Sequence, residues 1–175
     1  MKNIIVVTGG AGFIGSNLIK YLITKTKYKI ISIDNYSTGK KSNHIKTKRV
    51  KYFNCENKDI SKALKKYKNK ILTVFHFGEF SRIYMSFKFI DQCYNSNMLG
   101  TFNVVKFCSE NKFLYKDLRL FSIYGKWEKK HRLVYGAILK AITKKDTPTN
   151  KSFLFSFSRN NAGIVNNEIQ NKLNP

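Results

Sequence analysis

The stretch NIIVVTGGAGFIGSNLIKYLI at positions 3–23 constrains the fold more than any other part of the chain. Asn3 to Val7 is a short apolar run rich in Ile and Val, the pattern of a strand buried on both faces of a parallel sheet. A cluster of glycines ends it. From Phe13 to about Thr24, the residues Phe13, Ile14, Leu18, Ile19 and Leu22 recur at helical spacing, so the first unit reads strand, tight turn, helix. A second apolar run, Tyr28 to Ile33, ends at Asp34. Strand, glycine turn, helix, strand and terminal acid together make one βαβ unit of about thirty residues.

The alternation continues. Arg49–Asn54 reads as a third strand, Ile60–Lys68 as a short lysine-rich helix and Ile71–Phe77 as a fourth, almost wholly apolar strand. From Ser81 to Asn111 a long, mostly helical stretch carries Ile90, Tyr94, Met98, Phe102, Val105 and Phe107 at core-like intervals. Strands and helices in this order predict an α/β fold built on a doubly wound parallel sheet. Beyond Asn111 the pattern weakens. Phe113–Gly125 holds one or two strand-like runs, Leu133–Thr143 a helix, and the last thirty or so residues are polar and Asn-rich. The expected division is a core over residues 1–111 and an incomplete, degenerate or truncated part over residues 112–175.

At 175 residues with 42% hydrophobic content, the chain buries one sizeable core. It has no run of some twenty apolar residues to span a membrane and no signal-peptide pattern at its start, so a cytoplasmic location is expected. Cys55, Cys93 and Cys108 lie far apart, without paired spacing, and read as reduced thiols. His44, His76 and His131 are equally scattered, so no metal site is expected. The formal charge of +23 favours anionic ligands, nucleotides included. Its lysines are spread along the chain like solvated faces rather than gathered into one nucleic-acid surface, although a basic nucleic-acid binder remains an alternative reading.

The spacing Gly9-x-x-Gly12-x-x-Gly15 has a mechanical reason. One glycine allows the tight exit from the strand, another lets the backbone approach a pyrophosphate, and another permits close helix packing. The phosphates then meet the free N–H groups and positive dipole end of the helix. Asp34 lies nineteen positions beyond Gly15, where a carboxylate accepts hydrogen bonds from both adenosine ribose hydroxyls and repels a 2′-phosphate. NAD is therefore expected over NADP, with Lys40 and Lys41 pulling the other way.

TGGAGFIGSNL at Thr8–Leu18, DNYSTGK at Asp34–Lys40, HFGE at His76–Glu79 and NMLGTFNVV at Asn97–Val105 together resemble the extended short-chain dehydrogenase/reductase family. More narrowly, the chain is similar to NAD-dependent nucleotide-sugar epimerases and dehydratases of the UDP-glucose 4-epimerase kind, over about the first 110 residues. The resemblance implies a Rossmann-type fold holding NAD, a UDP-sugar substrate and a homodimer paired through the long helices, with Ser81–Asn111 offering one such face. By the same resemblance, Gly9, Gly12, Phe13, Ile14 and Gly15 form the pyrophosphate turn, with Asp34 on the ribose and Asn35, Tyr36 and Thr38 beside it. Glu56–Asn57 occupies the place of the pair around the adenine, Asp59–Ile60 being a rival register for it. Phe77, Gly78 and Glu79 follow the fourth strand along the cofactor, and Asn97 reaches it from the long helix.

The resemblance also implies a tyrosine base with a lysine one helical turn later, after the fifth strand, the lysine lowering the tyrosine's pKa. No such pair stands there. Tyr21/Lys25, Tyr36/Lys40 and Tyr84/Lys88 have the spacing but lie in the first helix, the ribose turn and the segment after HFGE, so no catalytic residue is assigned. Two registers suit the second half. In one, FLYKDLRLFSIYGKW at Phe113–Trp127 and VYGAILKAI at Val134–Ile142 match later family segments, and the catalytic segment is absent. In the other, Arg132–Ile138 is the fifth strand and Phe155–Arg159 replaces the Tyr-x-x-x-Lys pair, with a phenylalanine that has no proton to exchange. A non-catalytic NAD-binding module or scaffold is the alternative from a different functional class.

Overall fold

Ile4–Thr8 forms strand β1, and all five of its residues are buried. A strand without polar alternation must be covered on both faces. It takes an interior place in a four-stranded parallel sheet with β2 (Lys29–Asp34), β3 (Val50–Asn54) and β4 (Ile71–His76), in the order β3–β2–β1–β4. The computed structural model describes residues 2–113, which belong to one compact unit; apart from Phe113, both registers proposed for the second half lie outside the described residues. Thr8 pairs with Ile33 on one side and His76 on the other, so three strands end level with one another. Against β4 the register shifts between Ile4 and Ile5, with Leu72 as the extra residue of a bulge.

Helices cover both faces. Helix α1 (Phe13–Lys25) buries Ile19 and Leu22, and Gly10 lies between Ile19 and Ser32 of β2, which places α1 on the face of β1 that carries Ile5 and Val7. On the opposite face, Ile60 and Leu64 of α2 (Ile60–Leu64) and Val104, Phe107 and Cys108 of α5 (Thr101–Glu110) pack with Ile4, Val6, Ile31, Ile33, Ile71 and Val74. Burial there pushes the Cys108 thiol up to about 11, out of the range in which a thiolate forms at neutral pH. The α/β doubly wound reading therefore holds, and the sheet is Rossmann-like. The C-terminal end of α1 is closed by Arg49, whose guanidinium donates to the carbonyls of Ile23 and Thr26.

The long helical stretch differs from its expectation. It is divided into α3 (Ile83–Lys88), α4 (Ile90–Cys93), a π-helical segment Tyr94–Gly100 and then α5, with Phe89 leaving helical geometry between the first two. Of the six apolar residues read as core, only Phe107 is buried; Ile90, Tyr94, Met98 and Phe102 are each more than half exposed, at 69%, 53%, 63% and 62%. Spacing of three and four identifies a face of a helix but not the direction in which it points. Here the inward face is carried by Gly100, Val104, Phe107 and Cys108, and the more apolar stripe points away from the sheet. The second helix is also shorter than expected, ending at Leu64 before the run of lysines.

Candidate functional site

In the order β3–β2–β1–β4, the chain moves outward from β1 to β3 and then returns to the other side of β1. At such a reversal the loops leaving the two adjacent strands diverge, and a crevice opens beyond their C-terminal ends. Those ends are Thr8–Gly9 and His76–Phe77, so the glycine cluster stands at the switch point.

The corner is made by close backbone approach. Gly9 has φ of +66°, and a Cβ there would sit 2.6 Å from the Phe77 carbonyl carbon and oxygen and 2.8 Å from the Gly78 nitrogen. A Cβ at Gly15 would stand 2.8 Å from the Gly10 Cα and from the Gly9 carbonyl carbon, so the first turn of α1 is pressed against the corner. Gly12 differs: its backbone is extended and a Cβ would meet only the Gly9 oxygen, at 3.1 Å. It is the N-cap of α1, with no side-chain cap and no acidic residue in the first turn. The leading N–H groups of the helix thus face a partly open surface through Phe13 and Ile14, with the dipole's positive end behind them. Such a helix start can accept an anion.

Asp34 closes the corner. The side chain is nearly buried, and its two oxygens accept one backbone N–H each, Oδ2 from Ala11 at 2.9 Å and Oδ1 from Tyr36 at 2.8 Å. One carboxylate therefore ties the glycine turn to the loop after β2. The same loop returns through the Lys40 N–H and the Asn43 side-chain amide, both donating to the Ala11 carbonyl at 3.1 and 2.8 Å. Tyr36 is held in the left-handed region at φ of +57°, a conformation that costs a non-glycine residue about 1 kcal/mol or more. Its hydroxyl meets His44 Nε2 at 3.0 Å, and His44 stacks on Tyr52 with ring centres 3.7 Å apart. Burial first, and then the Asp34 charge, push the Tyr36 phenol above its ordinary value.

The remaining expected residues are placed as follows. Asn35 and Thr38 are exposed on the loop, Asn35 accepting the Ser37 N–H at 3.1 Å. Phe77 and Gly78 line the far side of the corner, and Glu79 lies half-exposed beyond them. Glu56 points outward to Lys58, 3.1 Å away. The Asn57 amide donates to the Gly78 carbonyl, and Asn97 clamps Phe80, accepting its N–H at 2.6 Å and donating to its carbonyl at 3.0 Å. Glycines, Asp34, Phe77 and Gly78 are thus brought together, whereas Glu56 stands apart and the two asparagine amides are engaged with backbone. The residues missing from the sequence reading are Ala11 and Asn43, which carry the loop contacts, and Thr8, His76 and Thr101, which join the two strand ends. Thr8, His76 and Thr101 stand inside the TGGAGFIGSNL, HFGE and NMLGTFNVV motifs, but neither their type nor their spacing shows that they bond to one another. Among the described residues no cluster of His, Cys, Asp or Glu is arranged to hold a metal ion, and no helix is long and apolar enough to cross a membrane.

Comparison with known proteins agrees with this geometry. The chain is 56% identical over 39 residues to UDP-glucuronic acid decarboxylase 6 of Arabidopsis thaliana, a match covering 22% of this chain and 11% of that protein. It is 31% identical over 114 residues to the bifunctional protein gal10 of Schizosaccharomyces pombe, covering 62% and 16% of the two chains. The UDP-glucose 4-epimerase of Thermotoga maritima, solved with UDP-glucose, superposes with a TM-score of 0.56 at 25% identity over 63% of this chain and 35% of that one. The Thermus thermophilus UDP-glucose 4-epimerase in complex with NAD does so with a TM-score of 0.55 at 27% identity, over 62% and 34%. The matched region thus spans no more than about a third of these relatives. The model of the NAD dependent epimerase/dehydratase family matches residues 5–116, close to two thirds of the sequence, and the chain belongs to that family.

Proposed function

We propose that residues 1–111 are an NAD-holding unit of the nucleotide-sugar epimerase/dehydratase kind, with residues 112–175 belonging to a degenerate part of the catalytic and substrate region. The observation that carries this is the bridge from Asp34 to the Ala11 and Tyr36 N–H groups, which sets a carboxylate beside an uncapped helix start. In this reading Gly9, Gly12, Phe13, Ile14 and Gly15 hold the pyrophosphate, Asp34 takes the adenosine ribose with Asn35, Tyr36 and Thr38 beside it, and Phe77, Gly78 and Glu79 run along the cofactor. Asn57 and Asn97 support that wall through Gly78 and Phe80, and Glu56 is assigned to the adenine end by the family resemblance alone. The donor set and the partly exposed, uncapped helix start at Gly12 fit a dinucleotide.

NAD, when bound, supplies the hydride acceptor and donor for a sugar carbon. The chain's own residues bind and orient it. None of the described tyrosines is assigned proton transfer: Tyr84 of the Tyr84/Lys88 pair is 84% exposed on α3, and Tyr21/Lys25 lies on α1. A UDP-sugar is the substrate class, because three of the relatives named above are a UDP-glucuronic acid decarboxylase and two UDP-glucose 4-epimerases, and a cytoplasmic location goes with that chemistry. The exposed stripe of Ile90, Tyr94, Met98 and Phe102 offers a second copy of the chain an apolar face of the kind that obligate interfaces bury. Titration calorimetry with NAD and NADP tests the cofactor assignment. Repulsion between the Asp34 carboxylate and a 2′-phosphate should make NAD the tighter ligand by about tenfold or more, a difference of about 1.4 kcal/mol. Equal or tighter binding of NADP contradicts the assignment.

A further inference from the structure

The described structure contains a hydrogen-bond chain whose direction is determined at one end. Thr8 Oγ1 accepts the N–H groups of Phe77, at 3.1 Å and shared with the Thr8 carbonyl at 3.2 Å, and of Gly78, at 3.2 Å. A hydroxyl has two acceptor positions and one proton, so the Thr8 proton goes to its remaining neighbour, His76 Nδ1, at 2.6 Å. With Nδ1 accepting, the proton of the neutral ring sits on Nε2, which donates to Thr101 Oγ1 at 3.0 Å. The Thr101 hydroxyl in turn donates to Glu79 Oε1 at 3.2 Å. The imidazole is only 7% exposed and joins the ends of β1 and β4 to the start of α5.

We propose that His76 is a positioning residue for the glycine corner, holding the Phe77–Gly78 wall through Thr8 only while its ring is neutral, so that acid loosens the cofactor cradle. The consequence for NAD rests on the cofactor reading above; the consequence for the corner does not. A protonated ring presents N–H at Nδ1 and meets the Thr8 proton head-on. Thr8 must then turn its proton away and release one of the two N–H groups it accepts. Those groups belong to the backbone against which Gly9 is packed.

The charges around the ring support a neutral state at physiological pH. Thr8 from β1 and Thr101 from α5 are uncharged, and Glu79, with its carboxylate oxygen 4.0 Å from Nε2, is the charged group acting on the ring among the described residues. Burial is the larger effect and lowers the His76 pKa below 6.5, with Glu79 partly opposing it. The expected transition therefore falls on the acid side of 6.5.

The test is an NMR titration of the full chain labelled with 15N. At pH 7.5 the long-range imidazole couplings should report the Nε2–H tautomer. The Gly9 and Gly78 amides should shift with the same midpoint as the His76 ring, and stop doing so in His76→Gln, which offers a donor and an acceptor without titrating. Thr8→Ser should keep the tautomer and Thr8→Val should lose it, which leaves the proposal testable should the glutamine variant fail to fold. By calorimetry, NAD affinity should fall by about tenfold in total as the pH drops through the midpoint in the unaltered chain, and not in His76→Gln. An Nδ1–H tautomer, a charged ring at pH 7.5, or glycine amides indifferent to the His76 midpoint would overturn the proposal. No NAD uptake at pH 7.5 would remove the cofactor reading alone, because tautomer and amide titration still decide the role of His76.

Discussion

Gly9→Ala should unfold far more readily than the unaltered chain, with a loss of about 3 kcal/mol or more in urea denaturation. Two costs add at this position. An alanine at φ of +66° is strained by about 1–2 kcal/mol, and its methyl group would lie 2.6 Å from the Phe77 backbone, which β4 holds in place. The neighbouring Gly12→Ala gives the contrast. Its backbone is extended and its methyl group meets only one oxygen at 3.1 Å, so the fold should survive with a loss below about 1 kcal/mol. NAD affinity should nevertheless fall, because that methyl group occupies the approach to the helix start. Equal stability of the two variants would mean that the corner is not built by the Gly9–Phe77 contact.

Asp34→Ala should lose NAD binding and also destabilise the ligand-free protein. Its carboxylate accepts two backbone N–H groups in a nearly buried place, and hydrogen bonds to a charged acceptor contribute about 1.5–3 kcal/mol each. Some of that is recovered when water enters, so a loss of about 3 kcal/mol is expected by denaturation without NAD. Asp34→Asn keeps an acceptor for one of the two N–H groups and removes the charge. It should be the more stable variant and should bind NAD and NADP alike, because the repulsion of the 2′-phosphate is gone. If Asp34→Ala melts like the unaltered chain, the bridge from Ala11 to Tyr36 does not hold the turn.

Much of the first βαβ unit was legible because its signals are local. The apolar run, the glycines and the 3.6-residue spacing from Phe13 to Leu22 lie within about twenty residues, and the helix begins at Phe13 as read. The first strand runs Ile4–Thr8 rather than Asn3–Val7, a shift that carries Thr8 into the sheet opposite His76. Directions were not legible. The stripe from Ile90 to Phe102 had the spacing of a buried face, yet Gly100 and Val104 turn inward instead, since a glycine packed against Asn57 gives no hydrophobic signal. The links among Thr8, His76 and Thr101 span 68 and 25 positions and depend on which strand ends lie side by side, which hydropathy does not encode. Asn57 and Asn97 were identified as residues of the site by resemblance, but their amides bond to the Gly78 and Phe80 backbone in the structure.

The most direct test of the central claim is to map NAD onto the chain by the amide shifts of the 15N-labelled protein. The account predicts that saturation with NAD moves the amides of Ala11, Gly12, Phe13, Ile14 and Gly15 together with those of Tyr36 and Gly78, and leaves the lysine-rich surface around α2 unchanged. Shifts scattered over the lysines with the glycine corner silent would show an anion held by charge alone, and would contradict a dinucleotide site at the start of α1.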